Sequence, residues 1–206
     1  MKKIIFSFLF TIIGPVSMTS NLYALTPYDK DNSQPLLMYG FEFGASIPLT
    51  KNYSPDDLLS KMLAGNFGAF IRIGKHVYGE LGVGYTFLKG TYTATLPNVV
   101  LTEIVETRYL QIPLKAVWNI PFKKNYAFLY SVGIKYQPLI FVSNNHIFYT
   151  KENITKHPFS FMGGIKFRAY FFIFDITYQQ FLQKFFLKSN AKKPSFLNIS
   201  LGFQLQ

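Results

Sequence analysis

The sequence predicts an all-β fold, an eight-stranded antiparallel up-and-down transmembrane β-barrel, and three observations predict it. Eight segments alternate apolar and polar residues at period two, the links between them are alternately short and long, and the chain opens with an export leader yet carries few charges. Only 15% of the 206 residues are charged and 18% are aromatic, whereas an average soluble domain is roughly 25% charged. The length suits one domain.

The leader reads "MKKIIFSFLFTIIGPVSMTSNLYA". Lys2 and Lys3 precede an apolar run from Ile4 to Ile13, a Gly14-Pro15 break and a polar stretch closing on Ala24. The run is too short to span a bilayer, so residues 1–24 are expected to be a signal peptide cleaved after Ala24. Residues 25–35 then form a short periplasmic segment and 36–206 the barrel. Of 21 basic and 10 acidic residues, two lysines and no acids leave with the leader, so the mature balance is +9. The absence of cysteine excludes disulfides, thiolate metal sites, a cysteine nucleophile and a lipidated N-terminal cysteine. No later run reaches the ~18 apolar residues a spanning helix needs.

The strands follow in order. Leu37, Tyr39, Phe41, Phe43, Ala45 and Ile47 alternate with Gly40, Glu42, Gly44 and Ser46; Phe67, Ala69, Ile71 and Ile73 alternate with Gly68, Phe70 and Arg72. In "VYGELGVGYTF", Val77 to Phe87, the odd positions are apolar, and Glu80 shares the even face with Tyr78, Gly82, Gly84 and Thr86. Leu110, Ile112, Leu114, Ala116 and Trp118 oppose Tyr109, Gln111, Lys115 and Asn119. Tyr126 to Tyr136 set aromatic and aliphatic residues against Ser131, Gly133, Lys135 and Gln137. Phe159 to Phe167 oppose Ser160, Gly164, Lys166 and Arg168; Phe172 to Tyr178 oppose Asp175, Thr177 and Gln179; Leu197 to Leu205 oppose Asn198, Ser200, Gly202 and Gln204.

Alternation does not say which face is outside, since a lipocalin-like barrel would turn the apolar face inward. Here the polar face is mostly glycine, serine, threonine and glutamine with about one charge per strand, too sparse for water. The apolar face is nearly unbroken and aromatic, as a lipid-facing band should be. Glu80 is therefore expected in the lumen, within a charge network of Glu42, Arg72, Glu80, Lys115, Lys135, Lys166, Arg168 and Asp175. Buried charges are tolerable only when paired. Face matching allows Arg72 opposite Glu80 across a Lys75 to Val77 loop, and Arg168 opposite Asp175 across a Phe171-Phe172 turn.

Short links are expected at Lys75-His76, "PFKKN" and about Tyr170 to Phe172, and long ones at about Thr50 to Ala64, Lys89 to Glu106, Val142 to His157 and Phe185 to Pro194. With both termini on the short side, this is the arrangement of a bacterial outer-membrane barrel with periplasmic turns and outer loops. Ser54-Pro55-Asp56 in the first long link reads as a short helix start.

No catalytic constellation emerges. His76, His146 and His157 fall in turns or loops without metal-ligand spacing or carboxylate partners, so no metal and no cofactor are expected. His157 and Ser160 are three apart and face opposite ways on a strand, which removes them as a hydrolytic pair. "GELGVG" lies within a strand with no helix after it, so it is not a phosphate loop. Lys188, Lys192 and Lys193 in "FFLKSNAKKPS" could meet lipopolysaccharide phosphates, though lysines in a solvated loop need no partner.

Three stretches, "RYLQIPLKAVW" at 108–118, "AFLYSVGIKYQPLI" at 127–140 and "GGIKFRAYFFIFDITYQQFL" at 163–182, together with Ser200 to Phe203, give a sequence that resembles the PorT-like outer-membrane β-barrel family of Bacteroidetes. Tyr109 to Leu114 match its Tyr-Leu-x-Ile-Pro-Leu strand; "NYAFLYSVG" matches the next motif without its proline. The resemblance covers about residues 36 to 206. It implies an outer-membrane location and partners among membrane lipid, lipopolysaccharide and the barrel-insertion machinery. The name-giving member is linked to secretion and gliding, which suggests an envelope protein complex as a further partner. No nucleic-acid partner is expected. The functional expectation is a non-enzymatic structural or envelope-assembly barrel; a narrow porin-like channel and a surface adhesin are the alternatives.

Overall fold

The computed structural model describes residues 37–49, 62–96, 99–123, 125–144, 152–184 and 193–205, with 62, 92–96 and 99–102 as backbone. Its strands are β1 Leu37–Pro48, β2 Met62–Gly74, β3 Val77–Leu96, β4 Val99–Lys123, β5 Tyr126–Tyr136, β6 Leu139–Val142, β7 Phe159–Ala169, β8 Phe172–Phe181 and β9 Ser195–Leu205. All neighbours pair antiparallel, and β3–β4 pairing together with β1–β9 pairing closes the sheet on itself. β5 and β6 both pair with β4, so they are one wall position interrupted by the Gln137-Pro138 step. Proline has no N–H to give a ladder, while its carbonyl accepts from Leu110 N at 3.0 Å. The result is a closed eight-position barrel, which leaves no sheet edge around its circumference.

The faces follow the period-two pattern, inside out relative to a soluble protein. Phe41, Phe67, Leu81, Leu114, Ile134, Ile165, Phe174 and Leu201, one from each wall position, all stand exposed on the outside. The even face of β3 and its counterparts are buried in the lumen. Around the short-turn end an aromatic arc runs from Phe122 through Phe128, Phe167, Tyr126 and Tyr170, and a second group joins Phe171, Phe172 and Phe203.

Two short turns use special backbone. Gly74, entering the Lys75-His76 turn, has φ +142°, and a Cβ there would sit 2.2 Å from the Val77 carbonyl oxygen. Gly74→Ala is therefore expected to cost about 1–3 kcal/mol by chemical unfolding, since only glycine adopts this conformation without strain. Tyr170, at φ 56°, turns the chain from β7 into β8, its ring edge-on to Tyr126 at 5.4 Å.

Two expectations need correction. The link expected from Lys89 to Glu106 is mostly strand, because β3 and β4 stay paired from Lys89↔Glu106 out to Leu96↔Val99. The pairs from Thr91 onward lie past Gly90, the last residue of β3 paired with β2, and the threonines and valines of the stretch favour strand without an apolar–polar alternation. The β7–β8 turn is Tyr170-Phe171, which places Lys166, not Arg168, across from Asp175, with Arg168 across from Ile173. Finally, Lys193 is an exposed residue just before β9, while Lys188, Lys192, His146 and the Ser54-Pro55-Asp56 helix start lie outside the described residues.

Candidate functional site

The lumen is the part of the molecule where chemistry is concentrated. Arg72 stands opposite Glu80 in the β2–β3 hairpin and donates Nε–H to Glu80 Oε2 at 2.6 Å. Lys115, opposite Glu80 on the other side, places Nζ 2.8 Å from Oε1. Glu80 is 1% exposed and so meets a cation from each neighbouring strand. Lys166 comes from across the barrel, with Nζ 3.1 Å from Asp175, 3.5 Å from Glu42 and 3.5 Å from Glu80. No hydrogen bond aligns with that ammonium, so its attraction to the three carboxylates is Coulombic. Glu42 also lies 3.9 Å from Lys115.

Arg72 is held on three sides. A second nitrogen, Nη1, donates to Gln204 Oε1 at 2.6 Å, and the guanidinium lies 4.4 Å from the centre of the Phe70 ring. That ring takes the remaining face, where Nη2 has no hydrogen-bond partner. Asp175 accepts a further bond from Thr177 Oγ1 at 2.6 Å. Among the described residues Lys135 has no close ion pair of its own. It donates to neutral Gln179 Oε1 at 3.0 Å, and Arg168 is buried nearer the short-turn end, across from Ala127 and Ile173.

Above the charges an amide belt crosses the lumen. Gln179 donates to Gln137 at 2.6 Å and to Ser160 at 3.0 Å, and accepts from Asn198 at 3.3 Å. Asn198 in turn accepts from Ser46, which accepts from Asn66 at 3.2 Å. This chain links the Gln137 step and β7 to β8, β9, β1 and β2, and converts polar side chains that would otherwise need water into mutual partners.

Both ends are apolar. Toward the long connections Ala64, Leu88, Val105, Tyr109, Phe181 and Phe196 form one buried cluster, joined by Leu139 and Val142. Ile154 seals it from the segment ahead of β7, at 1% exposure. That segment is fastened by Leu139 N to Lys156 O at 2.7 Å and by the Thr155 hydroxyl to Lys184 O at 2.5 Å. Toward the short turns Met38, Tyr78, Val117 and Leu129 form the second cluster. The charges thus lie between two apolar plugs.

These plugs were not singled out from the sequence. The available signal was a local failure of alternation, as in Phe87-Leu88 and "YAFLY" at 126–130, where consecutive apolar residues load both faces. Among the described residues no group of three metal-ligating side chains comes together. His157 accepts or donates one bond with the Tyr136 hydroxyl at 2.8 Å on the outer surface and stacks on that ring.

No protein-family model and no curated protein matches the sequence. Among solved structures the chain is similar to the Yersinia pestis outer membrane protein Ail in a phospholipid bilayer nanodisc, at 13% identity and a TM-score of 0.41, covering 82% of this chain and 99% of that one. It is also similar to the N-terminal β-barrel domain of Pseudomonas aeruginosa OprF, at 12% identity and a TM-score of 0.42, covering 82% and 98%. A third is LpxR from Salmonella typhimurium, at 9% identity and a TM-score of 0.32, covering 81% and 99%. The architecture itself rests on the pairings described above.

Proposed function

We propose that this chain is a bacterial outer-membrane barrel, exported by a cleaved leader, that serves as a structural or envelope-assembly component and neither conducts nor catalyses. The observation that carries the reading is the combination of an apolar exterior with a lumen closed by its own side chains. An exterior carrying exposed Phe41, Phe67 and Leu114 requires lipid, since water would not tolerate a continuous apolar band on this scale. An eight-position barrel has room inside for side chains rather than a water column, and here the two apolar clusters occupy both ends.

Membership of the PorT-like family and a link to a secretion complex are the finer form of this proposal, supported by the strand motifs at 108–118 and 163–182. A role in surface contact is the second reading, favoured by the β3–β4 hairpin. That hairpin continues six residue pairs past the last β2 partner, Gly90, or about 20 Å at the usual strand rise. The charged lumen acts as a rigid filling that fixes the barrel's shape, leaving loops and hairpin to make contacts.

Planar-bilayer recording tests the sealed lumen. The full chain should insert without unit conductance, and Ile154→Ala should remain silent because the remaining outer cluster and the Met38–Tyr78–Val117–Leu129 plug still close the path. Steady unit currents from the unaltered protein, with an ion selectivity that changes in Glu80→Gln, would establish the channel alternative instead.

A further inference from the structure

Above the short-turn rim, where Lys123 closes β4, the described outward positions of the wall are apolar, glycine or neutral polar except at one place. There Lys89 on β3 stands opposite Glu106 on β4, and Arg108 follows two residues along the same face, opposite Phe87. Arg108 Nε lies 2.5 Å from Glu106 Oε1, and its guanidinium is 4.7 Å from the centre of the Phe141 ring. The carboxylate engages Nε and the ring lies under the guanidinium plane, which holds the group rigidly against the wall. Arg108 keeps 43% of its side chain exposed, and Lys89 is exposed beside it.

The position along the barrel gives this patch its meaning. Below it on β4 the outward residues are Leu110, Ile112 and Leu114, and beyond it Ile104 is again exposed, so the charges interrupt the apolar wall near the end bearing the long connections. Two cations against one carboxylate leave a net positive spot on an otherwise uncharged wall. An arginine whose Nε is already engaged presents its Nη edge, the geometry that suits a phosphate's oxygens.

We propose that Lys89 and Arg108 bind the phosphate of a phosphorylated lipid headgroup in the outer leaflet, with Glu106 and Phe141 as positioning residues. This rests on the membrane reading above, which sets the long-connection end outward. The lipid's acyl chains lie along Leu110, Ile112 and Leu114, and its phosphate meets the cations next above them on the wall, so the site recognises headgroup and tail together. Burial against the apolar wall distinguishes it from a site for free phosphate.

The test reconstitutes the full chain in phosphatidylcholine vesicles, extracts it in mild detergent, and titrates it with diphosphoryl lipid A or with the same lipid after enzymatic dephosphorylation, counting bound lipid by native mass spectrometry. The expected result is at least about ten-fold preference for the phosphorylated form. That preference should disappear in a Lys89→Gln, Arg108→Gln double variant that still inserts and keeps the folded electrophoretic mobility. Equal retention of both lipids by the unaltered protein, a preference that survives in the double variant, or displacement by millimolar inorganic phosphate would each overturn the lipid site. Failure to insert into vesicles at all would overturn the membrane reading, and is distinguishable because no embedded protein would be recovered.

Discussion

Glu80→Gln is expected to lower the stability of the folded barrel by about 3–5 kcal/mol, the range for breaking a buried ion pair from one side. Glutamine keeps the shape and one acceptor but removes the charge that Arg72, Lys115 and Lys166 share. Those three cations are buried and cannot reach water, so the loss is felt as unscreened repulsion among them. Glu80→Asp, which retains the charge on a shorter side chain, should be affected less. The same substitution at Glu42, whose side chain is 24% exposed and whose ion-pair distances are 3.5 and 3.9 Å, should also cost less. Urea unfolding in vesicles, followed by the fluorescence of the chain's single tryptophan, Trp118, measures all three. Equal effects at Glu42 and Glu80 would contradict the central place given to Glu80.

Val83→Arg is the second large effect, and it separates lipid from water as the solvent of the outer face. Val83 is 54% exposed and sits midway along the barrel section of β3, between the turn at Val77 and the charged patch at Lys89. On a water-facing wall such a change would stay within about 0.5 kcal/mol. In the middle of a bilayer an outward arginine costs about 2–4 kcal/mol. Reversible unfolding in vesicles should show the larger loss, whereas Thr86→Ser, on the buried lumen face of the same strand, should cost under about 1.5 kcal/mol. A Val83→Arg protein as stable as the unaltered one would remove lipid from the account.

Much of this architecture was legible from residue order because strand periodicity and face burial are the same physical fact. Wherever one face meets lipid and the other a packed lumen, as from Val77 to Phe87, alternation is complete and the strand can be read directly. Reading failed where that contrast vanishes. The Thr91 to Leu96 extension pairs with β4 alone, past the last β2 partner, and its residues do not alternate apolar with polar, so it read as a link. At the two plugs the lumen itself becomes apolar, and Leu88, Val117 and Leu129 broke the pattern instead of announcing a seal.

The charge network shows the same division. The face of each charged residue could be assigned from parity, and a Lys75 to Val77 loop allowed the Arg72–Glu80 register that the β2–β3 pairing shows. Register across β7 and β8 depended on a turn with no glycine or asparagine to mark it. Tyr170 accepts a positive φ there, in ring contact with Tyr126, and this two-residue shift moves Asp175 from Arg168 to Lys166. Contacts across the lumen, such as Lys166 to Glu42 and Lys135 to Gln179, depend on barrel shear and have no sequence signature.

Quenching of Trp118 by brominated lipids tests the central claim most directly. Trp118 lies on the outward face of β4, opposite Val77 near the short-turn rim, and the chain has no other tryptophan. In vesicles its emission should shift to the blue and be quenched by bromines on the acyl chains, more strongly when they sit near the headgroup than at the bilayer centre, as expected for an aromatic at the membrane boundary. Emission that stays unquenched by every brominated lipid while the barrel remains folded would place this face in water or against protein, and would contradict the account.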